Sequence, residues 1–233
     1  MSRRDEVAVG SVTVRPVTPA ALVEGVVATV LAVGASGASG ASGGRLRVVV
    51  DGDPSTRPDA LADALVAPLE AAGRAVVRVA AALFWRPASQ RFEHGREDVT
   101  ALRDLWLDER ALRREVLDPF GPGGTGEYLP SLRDPRTDRS TRSVRRPTPA
   151  GTVLVVDGSL LLGRALPFDV AIHLSTRPGT RSRVARDAPD VLPPWTLPAY
   201  VAYADEVDPE RVAGVAVRYD DHRHPAVVER ADA

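Results

Sequence analysis

The run Leu46-Arg47-Val48-Val49-Val50 constrains this chain more than any other stretch. It is apolar and, apart from Arg47, does not alternate. A strand of that kind needs cover on both faces. Asp51-Gly52 follows, then Asp53-Pro54-Ser55-Thr56-Arg57, then a helical pattern over Pro58–Ala72. Leu61, Leu65, Val66 and Leu69 form the inward stripe of that helix and Gly73 ends it. The same beat recurs down the chain. Strands are predicted at Ala75–Ala80, Thr152–Val156, Asp169–Leu174 and Val212–Val217. Helices are predicted at Ala111–Leu117, near Arg177–Asp187 and at Thr196–Glu206. Such alternation implies a three-layer α/β domain around a mainly parallel sheet. Leu46–Val50 should lie inside the sheet, flanked by Ala75–Ala80 and Thr152–Val156 or their neighbours. Ligands on such sheets gather at the carboxyl ends of the strands. Here those ends are Asp51-Gly52, Ala81-Ala82 and Asp157-Gly158.

Upstream, Thr18 fits an N-cap and Pro19 the first position of a helix running to about Ala32. Leu22, Val26, Val27 and Val30 make its apolar stripe. The Gly/Ala/Ser repeat from Gly34 to Gly44 has nothing to bury and reads as a flexible linker. The expected organisation is a helical segment over 1–33, a linker over 34–44, the α/β domain over 45–228 and a tail over 229–233. Gly121–Ala150 is rich in Gly, Pro, Arg and Asp and reads as a long irregular excursion.

Charge narrows the partners. With a net charge of −1, the chain offers no electrostatic footprint for nucleic acid or an anionic membrane. All 30 basic residues are arginine, so neither a Schiff base nor a lysine phosphate clamp is available. The lack of cysteine excludes disulfides, thiolate metal sites and cysteine nucleophiles. No apolar run approaches the ~20 residues of a membrane span, and no apolar stretch follows Met1–Glu6. The expected location is the cytoplasm.

A strand, a turn and a helix start are the setting of the phosphate-binding pattern G-x-x-x-x-G-K-[ST]. Laid on Gly52, the pattern puts Arg57, Pro58 and Asp59 where its second glycine, lysine and hydroxyl belong. Pro54 and Pro58 each remove an amide donor, and Asp53 and Asp59 add negative charge. Asp59 fits capping or dipole compensation at a helix start. Arg57 remains available to an anion from outside the loop.

Ordered landmarks resemble the uridine kinase-like branch of the P-loop nucleoside kinases, in particular its actinobacterial members. They are Val50-Asp51-Gly52; Arg86-Pro87 with Arg91-Phe92 and Gly95-Arg96; and Ala111–Pro119 with Gly121-Pro122-Gly123-Gly124. Tyr128, Asp134 with Arg136–Arg139, Val155-Val156-Asp157-Gly158 and Glu206-Val207-Asp208-Pro209 complete the set, which spans roughly Arg45 to Val228. The resemblance implies a P-loop fold, ATP and Mg²⁺ as cofactors if the chain is active, and a nucleoside or nucleotide ligand. Departures fall at the positions where that family works. The P-loop is degenerate. Ala82 and Leu83 stand where the family carries acids after its second strand, one of which activates the nucleoside hydroxyl, and Trp85 stands for a common histidine. The later strand-end acid remains as Asp157, and the lid helix keeps Arg181, Arg183 and Arg186.

Candidate binding residues are therefore Asp51, Gly52, Arg57, Trp85, Arg86, Arg91, Tyr128, Asp134, Arg181 and Arg183. Asp157 is the candidate for catalysis and for Mg²⁺ if the chain is active, against a plain strand-end role in bonding loop amides. Phe84, Trp85 and Phe92 fit either a base-stacking surface or core plugs. His173 reads as a satisfied core histidine, the Gly121–Gly124 run as a helix stop and turn, and Asp220–His224 as a solvated segment. Three readings compete: a non-catalytic relative binding a nucleoside, nucleotide or partner protein; a divergent kinase with arginine clamps; and an interaction protein whose pocket Phe84 and Trp85 fill.

Overall fold

The computed structural model describes residues 12–36 and 44–230. The strands are β1 (Val12–Pro16), β2 (Leu46–Gly52), β3 (Val76–Ala80), β4 (Glu127–Tyr128), β5 (Arg146–Pro147), β6 (Val153–Gly158), β7 (Val170–Ser175), β8 (Val215–Arg218) and β9 (Ala226–Arg230). The helices are α1 (Pro19–Ala35), α2 (Pro58–Ala71), α3 (Ala88–Arg91), α4 (Val99–Asp104), α5 (Glu109–Leu112), α6 (Asp118–Phe120), α7 (Pro178–Asp187), α8 (Leu197–Val207) and α9 (Pro209–Val212). A π turn over Arg113–Leu117 links α5 to α6 without a break, so the predicted helix over Ala111–Leu117 lies inside one continuous helical stretch from Glu109 to Phe120.

Seven strands form one sheet in the order β1-β9-β8-β7-β2-β6-β3. β8, β7, β2, β6 and β3 run parallel to one another, and β9 and β1 are antiparallel at one edge. β2 is interior, as its unbroken apolar run requires. One neighbour is β6, as expected. The other is β7, while β3 lies beyond β6 at the far edge. The chain thus goes from β2 out to β3, returns through β6, and crosses β2 to reach β7. That reversal opens a crevice at the carboxyl end of β2.

The pleat of β2 feeds two cores. Val48 and Val50 pack with α1, α2 and the inner faces of β6 and β7, while Val49 packs with Phe84, Leu112, Phe120, Leu161 and Tyr203. Thr18 caps α1 by accepting from the Ala21 amide at 3.1 Å, and Pro19 occupies its first turn. The helix continues to Ala35, beyond the expected end at Ala32, so Gly34 and Ala35 are helical and not linker. The rest of the Gly/Ala/Ser repeat, 37–43, falls outside the described residues. Leu22, Val26, Val27 and Val30 enter the α2 core, and β1 joins the sheet through β9. The helix expected on a tether is therefore packed on the sheet it precedes.

Among the described residues, no helix is long and apolar enough to cross a membrane.

Candidate functional site

The turn after β2 is built around Asp53. Its side chain is buried, and Oδ1 accepts from the Ser55 amide at 2.9 Å and from the Ser55 hydroxyl. Oδ2 accepts from Nε of Arg181, on α7, at 3.0 Å. Asp53 thereby caps the short 3₁₀ turn Pro54–Thr56 and ties it to α7. Gly52 is required by close approach: a Cβ there would lie 2.4 Å from Thr56 Oγ1 and 2.9 Å from the Leu174 carbonyl. Arg57 takes the left-handed conformation, φ 55°, with its exposed guanidinium on Asp59 at 3.1 Å. Although partial burial opposes it, this guanidinium holds the Asp59 carboxyl below its ordinary range.

Asp51 and Asp157 project to opposite faces of the sheet. Asp51 is fully buried on the Val49 side, accepting from the Leu161 amide (2.9 Å), the Tyr203 hydroxyl (2.9 Å) and His173 Nδ1 (2.7 Å). Its acceptor capacity is used internally, and His173 is a satisfied core histidine. Burial, with the Asp51 charge beside it, raises the Tyr203 phenol far above its usual range.

Asp157 lies on the α2 side with Arg78, Asp59 and Asp63. Burial raises its carboxyl from 3.8 to about 6 against the pull of Arg78. Arg78 Nε is 3.1 Å from Oδ1, close enough for charge attraction but misaligned for a hydrogen bond, so Oδ1 is buried without a hydrogen-bond partner.

Beside the loop, over the ends of β3 and β6, lies a cavity of about 380 Å³. Its lining includes Ala81, Ala82, Gly158 and Ser159 from the strand ends and Pro54, Pro58 and Asp59 from the turn after β2. Trp85, Trp106 and Trp195, all the tryptophans of the chain, line it. Trp106 sits 5.0 Å from Trp85, edge to face, and 6.0 Å from Trp195 between ring centres. Behind this wall, buried Arg91 places its guanidinium 4.8–5.4 Å from the ring centres of Phe92, Trp106 and Trp85. Arg91 also donates to the Arg86 carbonyl at 2.8 Å and pairs with Asp138.

The candidate residues are thus only partly gathered. Gly52 and Arg181 meet at the loop through Asp53, with Arg57 at the loop's outer end. Trp85 lines the cavity, Arg91 packs behind its wall, and Arg86 meets it through its backbone, donating to the Trp106 carbonyl at 2.8 Å. Asp51 is sealed beneath Leu161. Tyr128 packs on Phe120 at 5.6 Å, and Asp134 shapes the 134–139 turn by accepting from the Arg136 amide at 2.8 Å; neither lines the cavity. Arg183 is exposed on α7 and faces a separate hollow with Tyr219 and Asp220. Phe84 is a core residue, and Trp85 leaves the cavity open, so the pair does not plug it. Trp106 and Trp195 were not among the sequence candidates. Their signal was rarity: a chain with three tryptophans places all three in one wall.

No protein-family model matches the chain, and no curated protein sequence does. Solved structures do. A protein described as a possible uridine kinase from Bacillus stearothermophilus superposes with a TM-score of 0.62 at 18% identity, over 83% of this chain and 96% of that one. D-glycerate 3-kinase from Cryptococcus neoformans superposes with a TM-score of 0.53 at 12% identity, over 84% and 94% of the two chains. This chain has a P-loop kinase-like fold. At such identities the likeness carries the fold and no activity.

Proposed function

We propose that this chain is a non-phosphorylating relative of the uridine kinase-like proteins, a cytoplasmic member of their actinobacterial branch, that keeps a ligand cavity beside a degenerate phosphate loop. One observation carries the reading: the Asp53 carboxylate occupies the turn, held by the Ser55 amide and by Arg181. An anion brought there meets a buried carboxylate and a guanidinium already neutralised. Pro54 and Pro58 withhold amide donors, Arg57 is paired with Asp59, and the chain has no lysine. These residues do not fit MgATP. Asp157 alone is a poor Mg²⁺ site, since one carboxylate seldom retains the ion without substrate phosphates. Among the described residues, no cluster of three or more His, Asp or Glu side chains is placed to hold a metal.

A second reading, a divergent kinase, rests on the buried Asp157, whose Oδ1 has the Arg78 ion pair but no hydrogen bond. Of its arginine clamps, Arg57, Arg86 and Arg181, the first and the last are committed to carboxylates, which is the difficulty. Transfer of labelled phosphate from ATP to uridine, with Mg²⁺ present, separates the two. The parent is expected to give no product above background. Turnover that disappears in Asp157→Ala would establish the divergent kinase instead.

A further inference from the structure

The polar groups around the tryptophan-lined cavity are almost all committed elsewhere. Ser159 donates its hydroxyl to the Gly52 carbonyl at 2.7 Å, and Thr196 donates to the Pro193 carbonyl at 2.7 Å. The Arg164 guanidinium is shared among the Leu160 and Arg103 carbonyls and Glu109. Asp59 is paired with Arg57, and the Tyr200 phenol lies beside Ser159. The rest of the lining is aliphatic side chains, prolines, small residues and three indoles.

A nucleoside brings several hydroxyl and ring polar atoms into such a space. Most of them would give up water without finding a free partner, which costs binding free energy. A phosphate would meet the Asp59 carboxylate in the lining and no uncommitted cation. A planar apolar molecule loses nothing of this kind and gains edge-to-face or offset contacts with the indoles. The volume lies within the range of pockets that enclose small organic ligands. The wall is also pre-set: Arg91 packs against Trp85 and Trp106 from behind and is anchored on the Arg86 carbonyl and Asp138, so little ordering remains for a ligand to impose.

We infer that this cavity binds a neutral, largely apolar aromatic molecule in preference to a nucleoside or nucleotide. The inference rests on the reading above that the cavity is a ligand site, and it names the chemical class that the site admits.

Calorimetry on the full chain tests it with three probes: indole as a neutral arene, uridine as a neutral polar nucleoside, and ATP with Mg²⁺. Indole is expected to bind at least tenfold more tightly than uridine, and ATP to give no saturable heat. Ala82→Leu, which puts a bulky side chain into the cavity lining, is expected to weaken indole at least tenfold while retaining the parent's circular dichroism. If that variant does not fold, the affinity order in the unmodified protein still decides. Uridine binding as tightly as indole would overturn the inference while leaving a non-phosphorylating ligand-binding protein intact. ATP binding with phosphate transfer would overturn that reading as well. Absence of binding by all three probes would reject the cavity as an arene site.

Discussion

Asp157 combines near-complete burial, a carboxyl raised to about 6, and an oxygen without a hydrogen bond. A carboxyl whose folded pKa exceeds its unfolded value binds its proton more tightly when folded. Its contribution is most favourable at acidic pH and is lost as pH rises from about 4 through about 6. Asp157→Asn removes that titration. Urea unfolding across pH 4 to 7 should show the variant gaining about 2–3 kcal/mol relative to the parent as pH rises; a pH-independent difference would contradict the assignment. Asp53 makes the opposite case, a buried carboxylate with every partner in place. Asp53→Ala strands Arg181 and the Ser55 amide and should cost about 2–4 kcal/mol. If the carboxylate stands in for an anion, added inorganic phosphate should raise the thermal midpoint of the variant and leave that of the parent unmoved. An equal shift in both would show that the loop was open to anions already.

At the scale of elements, β2 and α1 carry the tightest constraints. Gly52 sits where the 3₁₀ turn folds back over the end of β7, and Gly52→Ala forces its Cβ against Thr56 and the Leu174 backbone. The expected loss is about 1–3 kcal/mol by chemical denaturation; a neutral result would mean that the turn relaxes freely. Leu22 on α1 is buried against the α2 core. Leu22→Ala should cost about 2–5 kcal/mol if α1 belongs to the cooperative unit, and under about 0.5 kcal/mol, the range of surface changes, if it does not. The interior strands β2, β6 and β7 were legible because uninterrupted Val and Leu runs have few other uses. β1 and β9 were not, because an antiparallel pair at the sheet edge leaves much of its side-chain surface in solvent and carries little apolar pattern. The crossing from β6 over β2 to β7 has no signature in sequence, since pairing partners are chosen by packing and not by neighbouring residues.

For the whole molecule, the five parallel strands with helices on both faces followed from the order of apolar runs, and solved kinases share the fold. The functional centre was only half legible. Strand ends pointed to the right edge of the sheet, but not to the side on which each carboxylate would project: Asp51 and Asp157 end adjacent strands and serve opposite faces. The tryptophan wall draws on residues 85, 106 and 195, whose meeting depends on how α3–α5 and the turn before α8 fold over the sheet. What unites these features is a kinase-like frame in which the turn after β2 is closed on its own aspartate. Calorimetric titration with ATP in the presence of Mg²⁺ tests that claim most directly. The account predicts no saturable heat, whereas micromolar binding that depends on Mg²⁺ would contradict it.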